Sequence, residues 1–145
     1  MFKLPLVTLA ILSSALATPA VASPDTLFFP AESGRPFSAA VRIGNSVYIS
    51  GVLGMAPDGT LPSDFSAQAT NAMQAVADQL KLAGASMNDV YRCNVSLSDL
   101  KNAPSFNAVY VKYFRPDRLP VRMAVGVNGL ARGAAVEVAC DAYIQ

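Results

Sequence analysis

The 145-residue sequence contains no histidine and no tryptophan. Without histidine there is no Ser-His-Asp triad and no Cys-His nucleophile pair. Two cysteines alone do not complete the usual four-ligand zinc set, so no metal is expected. Acid–base work falls to carboxylates, Tyr, Lys, Cys or bound water. Charge is scarce as well. Eleven Lys and Arg against ten Asp and Glu leave a net charge of +1. No basic run occurs, so a nucleic-acid partner held through its phosphates has no footprint here.

What the chain does have begins at its first residue. Lys3 precedes an apolar run over residues 4–12, and small residues extend it to Ala17. Thr18-Pro19-Ala20-Val21-Ala22-Ser23 then places Ala20 and Ala22 where signal peptidase needs small side chains. The run is short for a membrane span, which needs about 20 apolar residues. Residues 1–22 therefore read as a cleaved signal peptide, which makes the protein exported, periplasmic or secreted, with no stable membrane association after cleavage. Residues 23–33, with Pro24 and Pro30, read as an irregular lead-in, and residues 34–145 as one domain.

Within that domain, residues 39–43 and 46–50 are strand-like and joined by Gly44-Asn45, a hairpin pattern. A helix is expected from Ser63 or Asp64, with the stripe Ala69, Met73, Val76, Leu80, Ala83 and a terminal Gly84. Residues 91–97 alternate, with Tyr91, Cys93, Val95 and Leu97 on the apolar side. A second helix is expected over residues 102–114, with Phe106, Val109 or Tyr110, and Tyr113 inward; Pro116 stops it. Residues 121–127 and 135–143 supply two more strands. Their expected core faces are Val121, Met123, Val125, Val127 and Val136, Val138, Cys140, Ala142. The order ββαβαββ is an α+β sheet with both helices on one face. The opposite face would carry Arg92, Asn94, Arg122, Ala124, Gly126, Glu137 and Ala139, polar but small, as at an oligomer interface containing a site.

On this pattern Cys93 and Cys140 both lie under the helices. Disulfides tolerate a narrow geometry, and ladder-adjacent strands meet it awkwardly, so free buried thiols are expected over a disulfide. Arg122 offers a planar fork for a carboxylate; an ion pair with Glu137 across the sheet would explain it as well. Glu137 could orient a water, and Asp141 shares its face. Asn107 sits beside the stripe of the second helix, and Ser50-Gly51 ends a strand where glycine permits close approach to a ligand.

Several short segments recur together in this order: Val47-Tyr48-Ile49-Ser50-Gly51, Ser98-Asp99-Leu100, Phe106-Asn107-Ala108-Val109-Tyr110, Leu119-Pro120-Val121-Arg122 and Val136-Glu137-Val138. In these the domain resembles the RidA/YjgF family of reactive-intermediate (enamine/imine) deaminases over about residues 34–144. The resemblance implies a chorismate-mutase-like fold, a homotrimer with sites between subunits, and hydrolysis of 2-imino or 2-enamino acids without a metal or organic cofactor. It implies that Arg122 holds the substrate carboxylate and Glu137 helps position water, with Ser50, Gly51, Asn107, Phe37 and Ala124 lining the site. Phe37 stands where many members have tyrosine, and Ala124 where many have cysteine, which implies a changed pocket polarity. Other activities open to the same fold are small-carboxylate binding without catalysis and a chaperone-like holdase role. Exported protein is expected to begin at Ser23; N-terminal sequencing that returns Met1 from an exported sample would refute the leader.

Overall fold

The computed structural model describes residues 24–31 and 34–145; the expected leader, residues 1–22, lies outside them. The described elements are β1 (Thr26–Pro30), β2 (Ser38–Ile43), β3 (Ser46–Ile49), β4 (Val52–Leu53), α1 (Phe65–Leu82), β5 (Val90–Leu97), α2 (Ala103–Tyr110), β6 (Val121–Gly126) and β7 (Val136–Tyr143). Short 3-10 turns flank α2 on both sides, so the expected second helix is interrupted at each end. The sheet order is β1-β2-β3-β7-β5-β6, with β4 pairing β7. Only the β5–β6 pair is parallel among these, which is why α2 lies between the two strands as a crossover.

Local chemistry explains the main elements. Gly44 takes φ +57° in the two-residue turn joining Ile43 to Ser46, a conformation glycine adopts without steric cost. Asp64 caps α1, its carboxylate accepting from the Ala67 amide at 2.7 Å. The whole stripe Ala69, Met73, Val76, Leu80 and Ala83 is buried. Gly84 closes the helix at φ +81°. Both helices share one core with Val47, Cys93, Val95, Val136, Val138 and Cys140 from the strands beneath. The other face of the sheet is left uncovered by the described residues, and its Tyr48, Val121 and Met123 are exposed.

Four expectations are corrected. The lead-in is not irregular throughout: residues 26–30 form an edge strand on β2, since Leu27, Phe28 and Phe29 favour extended backbone. Tyr91 is exposed rather than inward, because a register irregularity between Val90 and Arg92 shifts it out of the alternation. The face assigned to β6 is inverted. Cys93 pairs with Arg122 and Val95 with Ala124, and residues side by side in a sheet point to the same face. Arg122, Ala124 and Gly126 therefore share the helix side, while Val121, Met123 and Val125 look out from the open face. An edge strand with a cation toward a helix and valines outward defeats the rule that the apolar side is the core side.

The fourth correction concerns the cysteines. Cys93 and Cys140 form a disulfide and lie directly opposite each other in the β5–β7 ladder. Their Cα separation of 4.1 Å suits the closer, non-hydrogen-bonded type of antiparallel pair, which brings facing side chains nearest. The ladder that was expected to discourage the bond is what presents the two sulfurs to each other. Chain-entropy arguments for a loop of this size put its contribution near 4 kcal/mol. Urea unfolding of oxidised and dithiothreitol-reduced protein is expected to differ by about that amount; coincident midpoints would refute a stabilising bridge.

Candidate functional site

Two clusters of polar groups stand at different places on the sheet. The first forms on β6 and α2. Because Arg122 projects toward the helix layer, its guanidinium reaches the exposed side of α2. Its Nη2 donates to Asn107 Oδ1 at 2.7 Å. The guanidinium carbon lies 4.7 Å from the centre of the Tyr110 ring and 5.7 Å from that of Phe106. Helical spacing explains the grouping: residues 106 and 110 are one turn apart and their rings pack at a tilt with centres 5.6 Å apart, with Asn107 adjoining them. Tyr110 is buried, and its hydroxyl has no hydrogen-bond partner among the described residues. Burial pushes its phenol pKa up, and the neighbouring Arg122 charge opposes that shift. Arg122 itself remains exposed. A guanidinium carries five N–H donors, so donors remain for a carboxylate or similar anion.

The second cluster forms where β7 runs past the segment after β3. Glu137 pairs with Ser96 and Leu53, which puts it on the open face. Gly51 lies against it so closely that a Cβ there would overlap the Glu137 carboxylate. Only glycine leaves that carboxylate its place. Ser50 Oγ donates to the Ser38 carbonyl at 2.7 Å, tying the strand end to the start of β2. Phe37 lies beneath the Arg35 guanidinium, 5.8 Å from ring centre to guanidinium carbon. Phe37 and Gly51 line a cavity of about 390 Å³, walled by Ala39, Leu53, Met55 and Leu82.

The sequence-derived site residues therefore separate into two groups. Asn107 joins Arg122, with Ala124 two residues along the same strand face. Gly51, next to Ser50, lies against Glu137, while Phe37 lines the cavity on the other side of Gly51, and Glu137 is not one of its walls. The ion pair between Arg122 and Glu137 is not formed: the two residues project from opposite faces, on strands separated by β5. Asp141 belongs to neither group. It faces Arg92 across the β5–β7 ladder, and burial raises its pKa while Arg92 acts to lower it. The contribution of Tyr110 and Phe106 to the Arg122 site was missed, because both read simply as core stripe. The one available signal was Asn107, a polar residue set between two aromatics one turn apart.

A family model described as Endoribonuclease L-PSP matches residues 30–144. The Bos taurus protein named 2-iminobutanoate/2-iminopropanoate deaminase is 37% identical over 111 residues, 75% of this chain and 80% of that protein. The Mus musculus protein of the same name is 35% identical over 111 residues, 75% of this chain and 81% of that one. The crystal structure of RidA from the Antarctic bacterium Psychrobacter sp. PAMC 21119 superimposes with a TM-score of 0.73 at 38% identity. That comparison covers 86% of this chain and 100% of the other.

A Gly51→Ala variant is expected to fold, with a stability loss of about 1 kcal/mol, because the far end of a flexible side chain can yield. The Glu137 carboxylate must move to admit the methyl group. A crystal structure of the variant with Glu137 unmoved would count against the close packing described.

Proposed function

The chain belongs to the endoribonuclease L-PSP family, the RidA/YjgF group, and from that premise we propose that it hydrolyses reactive 2-imino and 2-enamino acids to 2-keto acids and ammonia. The observation that carries the reading is the guanidinium of Arg122, held in place by Asn107 yet still exposed on a chain whose relatives are named deaminases. In this reading Arg122 binds the substrate carboxylate through two parallel hydrogen bonds. An enamine first takes a proton at carbon and becomes the imine. Water adds to C2 of the imine, and its proton passes to nitrogen. The resulting carbinolamine loses ammonia as its C–N bond breaks and the C2–O bond becomes a carbonyl. Glu137 accepts a hydrogen bond from the incoming water and orients it. The iminium carbon is already electrophilic, so positioning supplies much of the acceleration. This chemistry needs no histidine, metal or organic cofactor. Phe37 and Ala124 add no polar group to the pocket.

We propose further that the active unit is a homotrimer. Arg122 and Glu137 leave opposite faces of one sheet, so a single chain does not bring both to one substrate. Packing the open faces of three subunits would set the Arg122 cluster of one beside the Gly51–Glu137 cluster of the next. Exposed Val121 (68%) and Met123 (53%) on that face support such burial. Export is part of the same proposal, supported by the disulfide, which belongs to oxidising compartments. Ribonucleolytic activity, named in the family description, is not carried over to a chain with no histidine and a net charge of +1.

The test is release of keto acid and ammonia from imines generated by an amino-acid oxidase. Purified protein is expected to exceed the spontaneous rate. Arg122→Ala should lower kcat/KM about 100-fold, the loss expected for a charged bidentate contact of roughly 3 kcal/mol. Glu137→Gln should lower kcat by about 10- to 100-fold. No acceleration by wild type rejects the enzyme in favour of a carboxylate-binding or holdase protein. Elution at monomer size in gel filtration would rule out the shared site.

A further inference from the structure

We propose that Tyr110 is a positioning residue for Arg122: its ring, together with Phe106, fixes the plane of the guanidinium so that the remaining N–H donors meet the substrate carboxylate. The proposal deepens the deaminase reading and rests on its assignment of Arg122 as the carboxylate binder.

An arginine on an exposed edge strand has several rotatable bonds, and a fork that wanders binds poorly. One hydrogen bond to Asn107 fixes a single nitrogen but leaves rotation about that contact. A ring face 4.7 Å below the guanidinium carbon removes that freedom, since cations and planar guanidinium groups favour the face of an aromatic ring. The second ring, at 5.7 Å, extends the surface. Tyr110 can serve as a fixed floor because it is itself buried and packed, at tilted angles, against Phe106 and Phe114, with ring centres at 5.6 and 4.7 Å. Its hydroxyl has no partner among the described residues and is shielded from solvent. The ring, not the hydroxyl, therefore does the positioning. Phe114 packs against Tyr110 and has no contact with Arg122 within cation–π range among the described residues.

The experiment titrates 2-oxobutanoate, as a carboxylate probe, into wild type and variants by calorimetry, and measures KM and kcat for imine hydrolysis beside it. Tyr110→Leu is expected to raise Kd and KM about tenfold while kcat changes much less, the size of a partly desolvated cation–π contact. Tyr110→Phe recovers most of that loss. Phe114→Leu lowers Tm but moves Kd less than about twofold, which separates positioning from stability. If Tyr110→Leu does not fold, Phe106→Leu reads the same quantity with a smaller, roughly threefold effect. Equal weakening by Tyr110→Leu and Phe114→Leu would overturn the proposal, as would a Phe variant as poor as the Leu variant. Unchanged Kd in Tyr110→Leu sinks the cradle even if turnover is strong. Wild type that binds 2-oxobutanoate without hydrolysing imines sinks the deaminase reading and leaves the cradle standing. Wild type that binds no 2-oxobutanoate overturns both.

Discussion

The pairing of β5 with its two neighbours is the constraint on which the rest of the structure depends. One row across the sheet contains Cys140, Cys93 and Arg122, side by side on β7, β5 and β6. All three project toward the helices. The first two close a disulfide that ties β7 to β5. The third, one strand further out, meets α2 instead of another strand. A one-residue slip of β6 would turn Arg122 to the opposite face and away from Asn107. The disulfide in the row and the guanidinium at its edge therefore depend on the same register.

That register also explains why the candidate site is divided. Residues alternate across a strand, so Arg122 on the helix face and Glu137 on the open face cannot both serve one ligand from one side of one sheet. Each cluster is nevertheless well ordered by its own subunit. Asn107 and the aromatic stack hold the cation. The missing Cβ of Gly51 makes room for the carboxylate of Glu137. The sheet orders two polar clusters at separate places and, among the described residues, leaves a face bearing valine, methionine and tyrosine uncovered, the face that the proposed trimer would bury.

Much of this was legible in the sequence, and the failures have a common cause. The α1 stripe from Ala69 to Ala83, the Asp64 cap and the Gly44-Asn45 turn were readable because each depends on residues within one or two turns of chain. The family resemblance and its membership were legible from short ordered segments for the same reason. The orientation of β6 was not. Which side of an edge strand faces a helix is decided by pairing with β5, some thirty residues earlier, and no local pattern encodes it. The cysteine pairing failed similarly, since only the β5–β7 register shows that positions 93 and 140 lie opposite. The site residues were identified individually, but their separation into two clusters became visible only with the faces assigned.

The surroundings of Arg122 carry the last consequence. Among the described residues its hydrogen bond goes to a neutral amide oxygen and its stacking to neutral rings; no carboxylate pairs with it. A carboxylate in the place of Asn107 would hold the guanidinium more strongly, but it would also satisfy the charge. A ligand would then have to displace that partner, and breaking a hydrogen-bonded charge pair is costly. Neutral partners fix direction without cancelling charge. The positive charge at the edge of β6 is left uncancelled and held in one orientation. That is the arrangement the proposed capture of a small carboxylate requires, whereas a cation serving only to stabilise the fold would gain from a charged partner.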